Sequence, residues 1–367
     1  MKPETEAELA EGLSAASGPL SIRGGGTCGV AVEGDVVDTT ALSGITLYEP
    51  GALTIVAQAG TPLGDIEEAL AQNGQQLPFE PMDYRGLMGT DGVPTIGGIV
   101  AANVSGPRRI AVGACRDFVL GVRFVDGSGT VIKNGGRVMK NVTGYDLVKL
   151  LSGSWGTLGV LTEVSLKVLP KPESAACVLI DGLSVDDAVA AMSGALGSPY
   201  EVSGAAHLPV GLDGTPVTML RLEGFAGSVA YRADAVAAMF KDSEVRIERD
   251  TEAVARGWAW VRDVTPFHGG DGDVWKISCK PSDAAEMSRR LRANGLVFDW
   301  GGGLIWAQAA AGTDVRARLG TFDGHATLVR GSGQPKFQPE APAVAALSRG
   351  LRRKFDPKGI LNAGLMG

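Results

Sequence analysis

The chain has 367 residues, 44% of them hydrophobic and 20% charged, with a formal net charge of −7 and a pI of about 5.2. That acidity argues against nucleic acid and against an anionic membrane surface as partners. The length exceeds what one small core needs, so two domains are expected. Glycine, at 53 residues, is about twice as frequent as usual and sits at turns, which suggests loops that approach a ligand closely.

The N-terminal MKPETEAELAEGL lacks the apolar core of a signal peptide. No run of eighteen apolar residues occurs, so no helix is expected to span a membrane. Cys28, Cys115, Cys177 and Cys279 are far apart with no CxxC pair, as in a reduced, cytoplasmic protein. The only histidines are His207, His268 and His325, none at ligand spacing, which limits metal and His-triad chemistry.

In chain order, residues 3–16 predict a helix opened by Pro3, with Thr5 and Glu8 as a capping box. Pro19 to Ile22 predicts a short strand. Arg23-Gly24-Gly25-Gly26-Thr27-Cys28-Gly29 then contains a literal G-x-G-x-x-G at Gly24, Gly26 and Gly29. A Rossmann fingerprint requires a helix immediately afterwards. The strand-like VAVEGDVVDTT follows instead, which disfavours a nicotinamide dehydrogenase, although consecutive backbone N–H groups can still cradle an anion. Leu53 to Ala59 predicts a strand. Pro62 and Gly74 bracket a helix with Leu63, Ile66 and Leu70 on one face. LPFEPMDYRGL is expected to be loop. Thr95 is a candidate N-cap for the small-residue stretch to Asn103, where Gly97 and Gly98 leave room either for a ligand or for close helix packing. Residues 119–125 and 130–133 predict a hairpin.

The stretch 140–170, KNVTGYDLVKLLSGSWGTLGVLTEVSLKVLP, joins glycine turns at Gly144, Gly153, Gly156 and Gly159 to an alternating strand. Val160, Thr162, Val164, Leu166 and Val168 share one face and Glu163, Ser165 and Lys167 the other, which predicts a half-buried strand. Tyr145 to Leu151 predicts a helical turn. From Cys177 to Ile247 the elements run β-α-β-β-α-β, a ferredoxin-like unit. After a helix at Thr251 to Asp263 the same order recurs from Val274 to Arg330, which predicts one larger sheet with helices on a single face. A last helix, Ala343 to Phe355, precedes FDPKGILNAG.

RGGGT at 23–27, TIGGIVAANVSGPRR at 95–109, the NVTGYDL…SLKVLP stretch and FDPKGILNAG at 355–364, taken in order, resemble the FAD-binding superfamily of vanillyl-alcohol oxidase and p-cresol methylhydroxylase. Ala363 replaces the proline of that family's tail. Within the superfamily, LPFEPMDY, GACRDFVLGVRFVDGSG, KNVTGYDL and DVWKISCKP are similar to the smaller FAD-binding subunits of bacterial glycolate oxidases. The resemblance implies an α+β fold: a two-subdomain PCMH-type FAD-binding domain at 1–172, a cap domain of ferredoxin-like units at 173–340, and a C-terminal helix and tail at 341–367 packing back on the FAD domain. It implies an FAD-dependent oxidoreductase acting on glycolate or a related D-2-hydroxyacid. Its partners would be a larger FAD-containing subunit and an iron–sulfur subunit, with the inner face of the membrane reached only through them.

By the same resemblance, Gly24, Gly25, Gly26 and Thr27 hold the pyrophosphate. Gly97, Gly98, Asn103 and Gly106 line the flavin, and Gly144, Asp146, Gly159 and Val160 contact the adenosine or the ring. Arg23, Pro81, Thr95, Ile96, Leu147 and Asn362 complete the cofactor-binding set. Thr27 stands where some members carry a flavin-linking histidine, so FAD is expected to be non-covalent, with a cysteinyl link through Cys28 or Cys115 as the alternative. In the cap, WGGGLIW at 300–306 stands where hydroxyacid-oxidising relatives carry a histidine-rich motif. Arg108, Arg109 and Arg330 are available cations for a substrate carboxylate. No base, catalytic residue or metal site is assigned. A non-catalytic partner that braces the larger subunit and a free-standing oxidase remain the competing expectations.

Overall fold

The computed structural model describes residues 1–30, 32–137 and 144–366, so residues 140–143 of the expected signature lie outside the described residues. Helix α1 (Glu6–Ala15) starts after Thr5 rather than at Pro3, because Thr5 Oγ1 accepts the Glu8 N–H and Glu8 in turn accepts from Glu4 N. Strands β1 (Leu20–Arg23) and β2 (Asp35–Asp38) pair in parallel, and the glycine loop is the connection between them. Among the described residues the next element after Gly29 is the strand β2 and not a helix, in line with the rejected Rossmann fingerprint.

An antiparallel five-stranded sheet follows, built from β3 (Ile45–Glu49), β4 (Thr54–Gln58), β5 (Val119–Val125), β6 (Val131–Gly135) and β7 (Val160–Lys167), in the order β3-β4-β7-β5-β6. The edge strand β3 is not foreseen from its sequence. β7 lies in the middle of this sheet and is buried at all positions but Glu163 and Lys167. The half-buried expectation is therefore corrected: helices cover one face and α1 the other, where Glu6 bonds both Thr162 and Arg123. Helix α2 (Leu63–Ala71) buries Leu63, Ile66 and Leu70 as the periodicity predicts. Within the expected loop 77–87, a short helix forms at Arg85–Met88.

The second half forms one eight-stranded antiparallel sheet. Its strands are β8 (Ser174–Asp181), β9 (Gly204–Leu208), β10 (Val217–Gly224), β11 (Glu244–Glu248), β12 (Asp273–Ser278), β13 (Gly295–Asp299), β14 (Leu304–Ala309) and β15 (His325–Arg330). The order is β11-β8-β10-β9-β13-β14-β12-β15. Each half has the ferredoxin-like order 4-1-3-2, and the two halves join through their second strands at His207 and Phe298. The alternation sorts the two faces. Trp275, Ile277, Ala326 and Leu328 pack under the four helices of the units, whereas Val274, Leu304, Trp306 and Val329 join the core shared with the first half. The helix between the units, α3 (Thr251–Arg262), packs on that second face through Val254, Trp258 and Val261, so helices are not confined to a single face.

The tail after the last helix, α4 (Pro342–Phe355), returns to the start of the chain. Leu20 N donates to Ile360 O at 2.7 Å and Asn362 N to Leu20 O at 3.0 Å. Lys358 donates to the carbonyls of Leu13, Ser14 and Ala16, the free C-terminal carbonyls of α1.

Buried ion pairs clamp the two halves together. Arg221 of β10 donates to both oxygens of Glu80 at 2.8 and 2.9 Å, and Arg108 to both of Glu223 at 2.9 and 2.5 Å. Burial would raise these carboxyls, but the facing guanidinium groups outweigh it: Glu80 lies below its ordinary value and Glu223 falls to about 2.

Candidate active site

A cavity of about 370 Å³ opens between the glycine loop after β1, the helical turn Ile96–Ala101, the start of β7 and the tail. Its glycines are needed for different reasons. A Cβ on Gly24 would lie 2.4 Å from Thr95 Oγ1, and one on Gly25 only 1.5 Å from the Val93 carbonyl oxygen. Gly26 has φ +70 and open space around it. At the helical turn, Thr95 is the N-cap, accepting from Gly98 N at 3.3 Å. Gly97 is demanded by packing, since its Cβ would meet Ala59 at 2.6 Å, whereas Gly98 meets only Thr95 Oγ1 at 3.2 Å and faces the cavity.

Eleven of the cofactor-set residues line this cavity: Arg23, Gly24, Gly25, Gly26, Thr27, Thr95, Gly97, Gly98, Gly159, Val160 and Asn362. Asn362 also fixes its floor, accepting from Ile22 N at 2.8 Å and donating to Trp155 O at 2.7 Å. Asn103 lines the adjoining chamber instead, its Oδ1 accepting from Arg116 N. The other six line neither space. Pro81 and Ile96 are buried in the surrounding fold. Gly106 packs against Glu80, where a Cβ would come within 2.1 Å of the carbonyl oxygen. Asp146 caps the turn Leu147–Leu151 through Lys149 N, Leu147 N is tied to Asn134, and Gly144 supplies a positive φ of 83.

The cavity fits the cofactor that the resemblance implies. Gly26 and Gly98 leave space a side chain would fill, and the Arg23 guanidinium, which donates to Ser21 Oγ, lines the wall with no ion pair among the described residues. None of the three histidines lines it. Burial raises the thiols of Cys28 and Cys115, which keeps them protonated and poor nucleophiles.

Cys28, Ala102 and Trp155 also line a second space of about 250 Å³ between the two halves. Two strands of the cap sheet, β12 and β15, roof it. Lys276 pairs with Thr327 and Ser278 with His325 across β12 and β15, so these side chains share the face turned to the flavin cavity. Tyr84, Arg109, Trp300 and Lys336 complete the wall, and no aspartate or glutamate lines it. The Lys276 ammonium stands 5.4 Å from the Trp300 ring centre and 5.5 Å from that of Trp306, and the Arg109 guanidinium 4.5 Å from that of Trp300. Burial, then Arg109, lowers Lys276 to about 8 against the pull of Asp299. Asp299 is buried behind it, accepts from Trp300 N at 2.7 Å, and is raised by burial to about 7. Desolvation, then Lys276 and Arg109, holds His325 below its ordinary value although its edge reaches solvent.

This chamber alters the expectations for the cap. Of the three arginines considered for a substrate carboxylate, Arg108 is held by Glu223 and Arg330 by the carbonyls of Leu87, Phe267 and Gly270, so only Arg109 is available. The stretch 300–306 contributes Trp300 rather than a ligand set, and the described residues include no cluster of three His, Cys, Asp or Glu able to hold a metal. His325 and Lys276 were not singled out in the sequence. DVWKISCKP carried Lys276 as part of a resemblance only, and His325 stood apart from any partner at regular spacing.

The family described as FAD binding domain matches residues 1–135. Over 353 residues the chain is 37% identical to the glycolate oxidase subunit GlcE of Escherichia coli K12, covering 95% of this chain and 92% of that protein. It is 34% identical over 440 residues to an uncharacterized FAD-linked oxidoreductase of Mycobacterium tuberculosis H37Rv, covering 100% of this chain and 90% of that one. A solved structure of alkyldihydroxyacetonephosphate synthase matches with a TM-score of 0.71 at 15% identity, covering 99% of this chain and 76% of that chain, a likeness of fold. Fold, cavity and matches together define an FAD-dependent oxidoreductase of the PCMH type. The chain belongs to the family of the glycolate oxidase subunit GlcE.

Proposed function

We propose that this chain oxidises glycolate, or a related small D-2-hydroxyacid, to the 2-oxoacid at its own non-covalent FAD. It does so as the smaller flavin subunit of an assembly with a larger FAD-containing subunit and an iron–sulfur subunit that takes the electrons. The assembly is cytoplasmic and meets the membrane through its partners. The observation that carries substrate oxidation at this flavin is the chamber: it adjoins the flavin cavity, has room for a small acid, and is lined by cations without a carboxylate. The subunit names of the GlcE of E. coli and of the GlcD of Bacillus subtilis, 32% identical over 205 residues, support the assembly.

When bound, FAD supplies the acceptor for the hydride that leaves the substrate carbon. The protein's own part is to hold the acid and take its hydroxyl proton. His325 suits the proton transfer, since desolvation and the neighbouring Lys276 and Arg109 hold its pKa below the ordinary value and no described residue hydrogen-bonds its ring. Trp155 and Phe337, packed edge to face at 5.5 Å, wall the chamber beside the flavin cavity and limit the entry of water. His325→Gln is expected to slow anaerobic flavin reduction by glycolate about 10²–10⁴-fold with flavin content unchanged. A rate within about twofold of wild type removes His325 from the proton transfer.

A further inference from the structure

Lys276 and Arg109 stand out among the half-buried cations because neither side chain has a hydrogen-bond or ion-pair partner among the described residues. Each other cation near the chamber is already satisfied. Lys336 donates to the carbonyls of Leu328 and Val329, Arg108 faces Glu223, and Arg221 faces Glu80. The Lys276 ammonium and the Arg109 guanidinium form no hydrogen bond and no ion pair with any described residue, and share the indole of Trp300 instead. An unpaired cation withdrawn even partly from water is costly, and two of them in one chamber lined by no acid repel each other. A small anion between them would relieve both costs.

We infer that Lys276 and Arg109, one from each half of the molecule and both braced on Trp300, form a clamp for the carboxylate of the substrate. The inference rests on the proposed oxidation of a 2-hydroxyacid at this flavin and adds to it which groups hold the acid and how pH controls the hold. Arg109 stays charged throughout, whereas Lys276 loses its proton near pH 8 when the chamber is empty. The clamp is therefore complete below about 8 and weakens as Lys276 deprotonates above it, because the bound anion raises the lysine's pKa and binding then requires proton uptake. The other titratable groups facing Lys276 are Asp299 behind Trp300 and His325 on β15, with Cys28, Tyr84 and Lys336 around the same chamber.

The test uses the flavin-loaded full chain and oxalate, a carboxylate with no C–H to transfer, read by perturbation of the visible flavin spectrum between pH 7 and 10. Wild type is expected to bind oxalate with a Kd that is flat up to about pH 8 and rises toward tenfold per unit above. Lys276→Met is expected to weaken binding at pH 7 by about 10–100-fold and to abolish that slope, with flavin content and melting temperature unchanged. Lys276→Arg is expected to keep affinity within about threefold of wild type and to flatten the profile. If Lys276→Met fails to hold flavin, the Lys276→Arg profile decides alone. Wild-type affinity in Lys276→Met, a slope that persists in Lys276→Arg, or no oxalate binding by wild type each overturns the clamp. Clamp-like oxalate binding with no flavin reduction by glycolate keeps the clamp and removes the oxidation proposal.

Discussion

Gly97 and Gly98 are adjacent, yet one makes room for Ala59 and the other for the flavin cavity. A sequence can show that two glycines open a helical turn but not which neighbour each one faces. Substitutions separate the roles. Gly98→Val is expected to leave a folded protein that loses FAD, because its side chain would occupy the cavity. Gly97→Val is expected to destabilise the fold by about 1–3 kcal/mol through overpacking against Ala59. Visible absorbance and melting temperature of the two variants check this, and equal flavin content in folded Gly98→Val contradicts its place in the site. Gly25 is a poor probe of pyrophosphate contact, since any Cβ there strikes the Val93 carbonyl first. The tail motif has the same lesson. Lys358 and Asn362 are legible as a family signature, but their structural work, capping α1 and tying β1 to Trp155, depends on partners hundreds of positions away in sequence.

At the scale of elements, the alternation of apolar residues was enough to find most strands and both ferredoxin-like units, because each buries one face against local helices. It missed β3, an edge strand whose residues are half-buried or exposed, and underestimated the burial of β7, where Ser165, on the face expected to be open, and Leu161 are buried too. It also could not show that β10 carries the buried guanidinium and carboxylate that join the halves. Glu223→Gln leaves Arg108 and Arg221 short of a counter-charge and is expected to destabilise the protein by about 3–5 kcal/mol. The pH dependence has a definite sign. The folded pKa of Glu223, about 2, lies below the ordinary 4.5, so its stabilisation is complete above about 4.5 and is lost as pH falls toward 2. The difference in melting temperature between wild type and Glu223→Gln should therefore shrink as the pH is lowered through that window, and a difference that grows with acid contradicts the assignment.

The whole molecule produces the chamber. Arg109 comes from the short helix Arg109–Val112 of the first half, Lys276 and His325 from the cap sheet, Trp300 from the turn after β13, and Met366 from the tail. No local spacing in the sequence joins these residues, which is why the cap read as bare while the flavin loop did not. The glycine loop is a contiguous motif whose Arg23 to Thr27 all line one cavity, where six further expected cofactor residues from three other segments join them. The chamber lies between the two halves of the molecule, which the pairs Glu80–Arg221 and Arg108–Glu223 hold together. The proposed substrate chemistry would thus be a property of the joint between halves, and it gives a direct test. The flavin-loaded chain, purified without partners, is mixed with glycolate in the absence of oxygen and its visible spectrum followed. Bleaching of the flavin band in wild type, slowed in His325→Gln, is the predicted result. A flavin that stays oxidised in the isolated chain, and also in the chain reassembled with its partner subunits while their own flavin is reduced, contradicts oxidation at this site and leaves the chain a bracing partner.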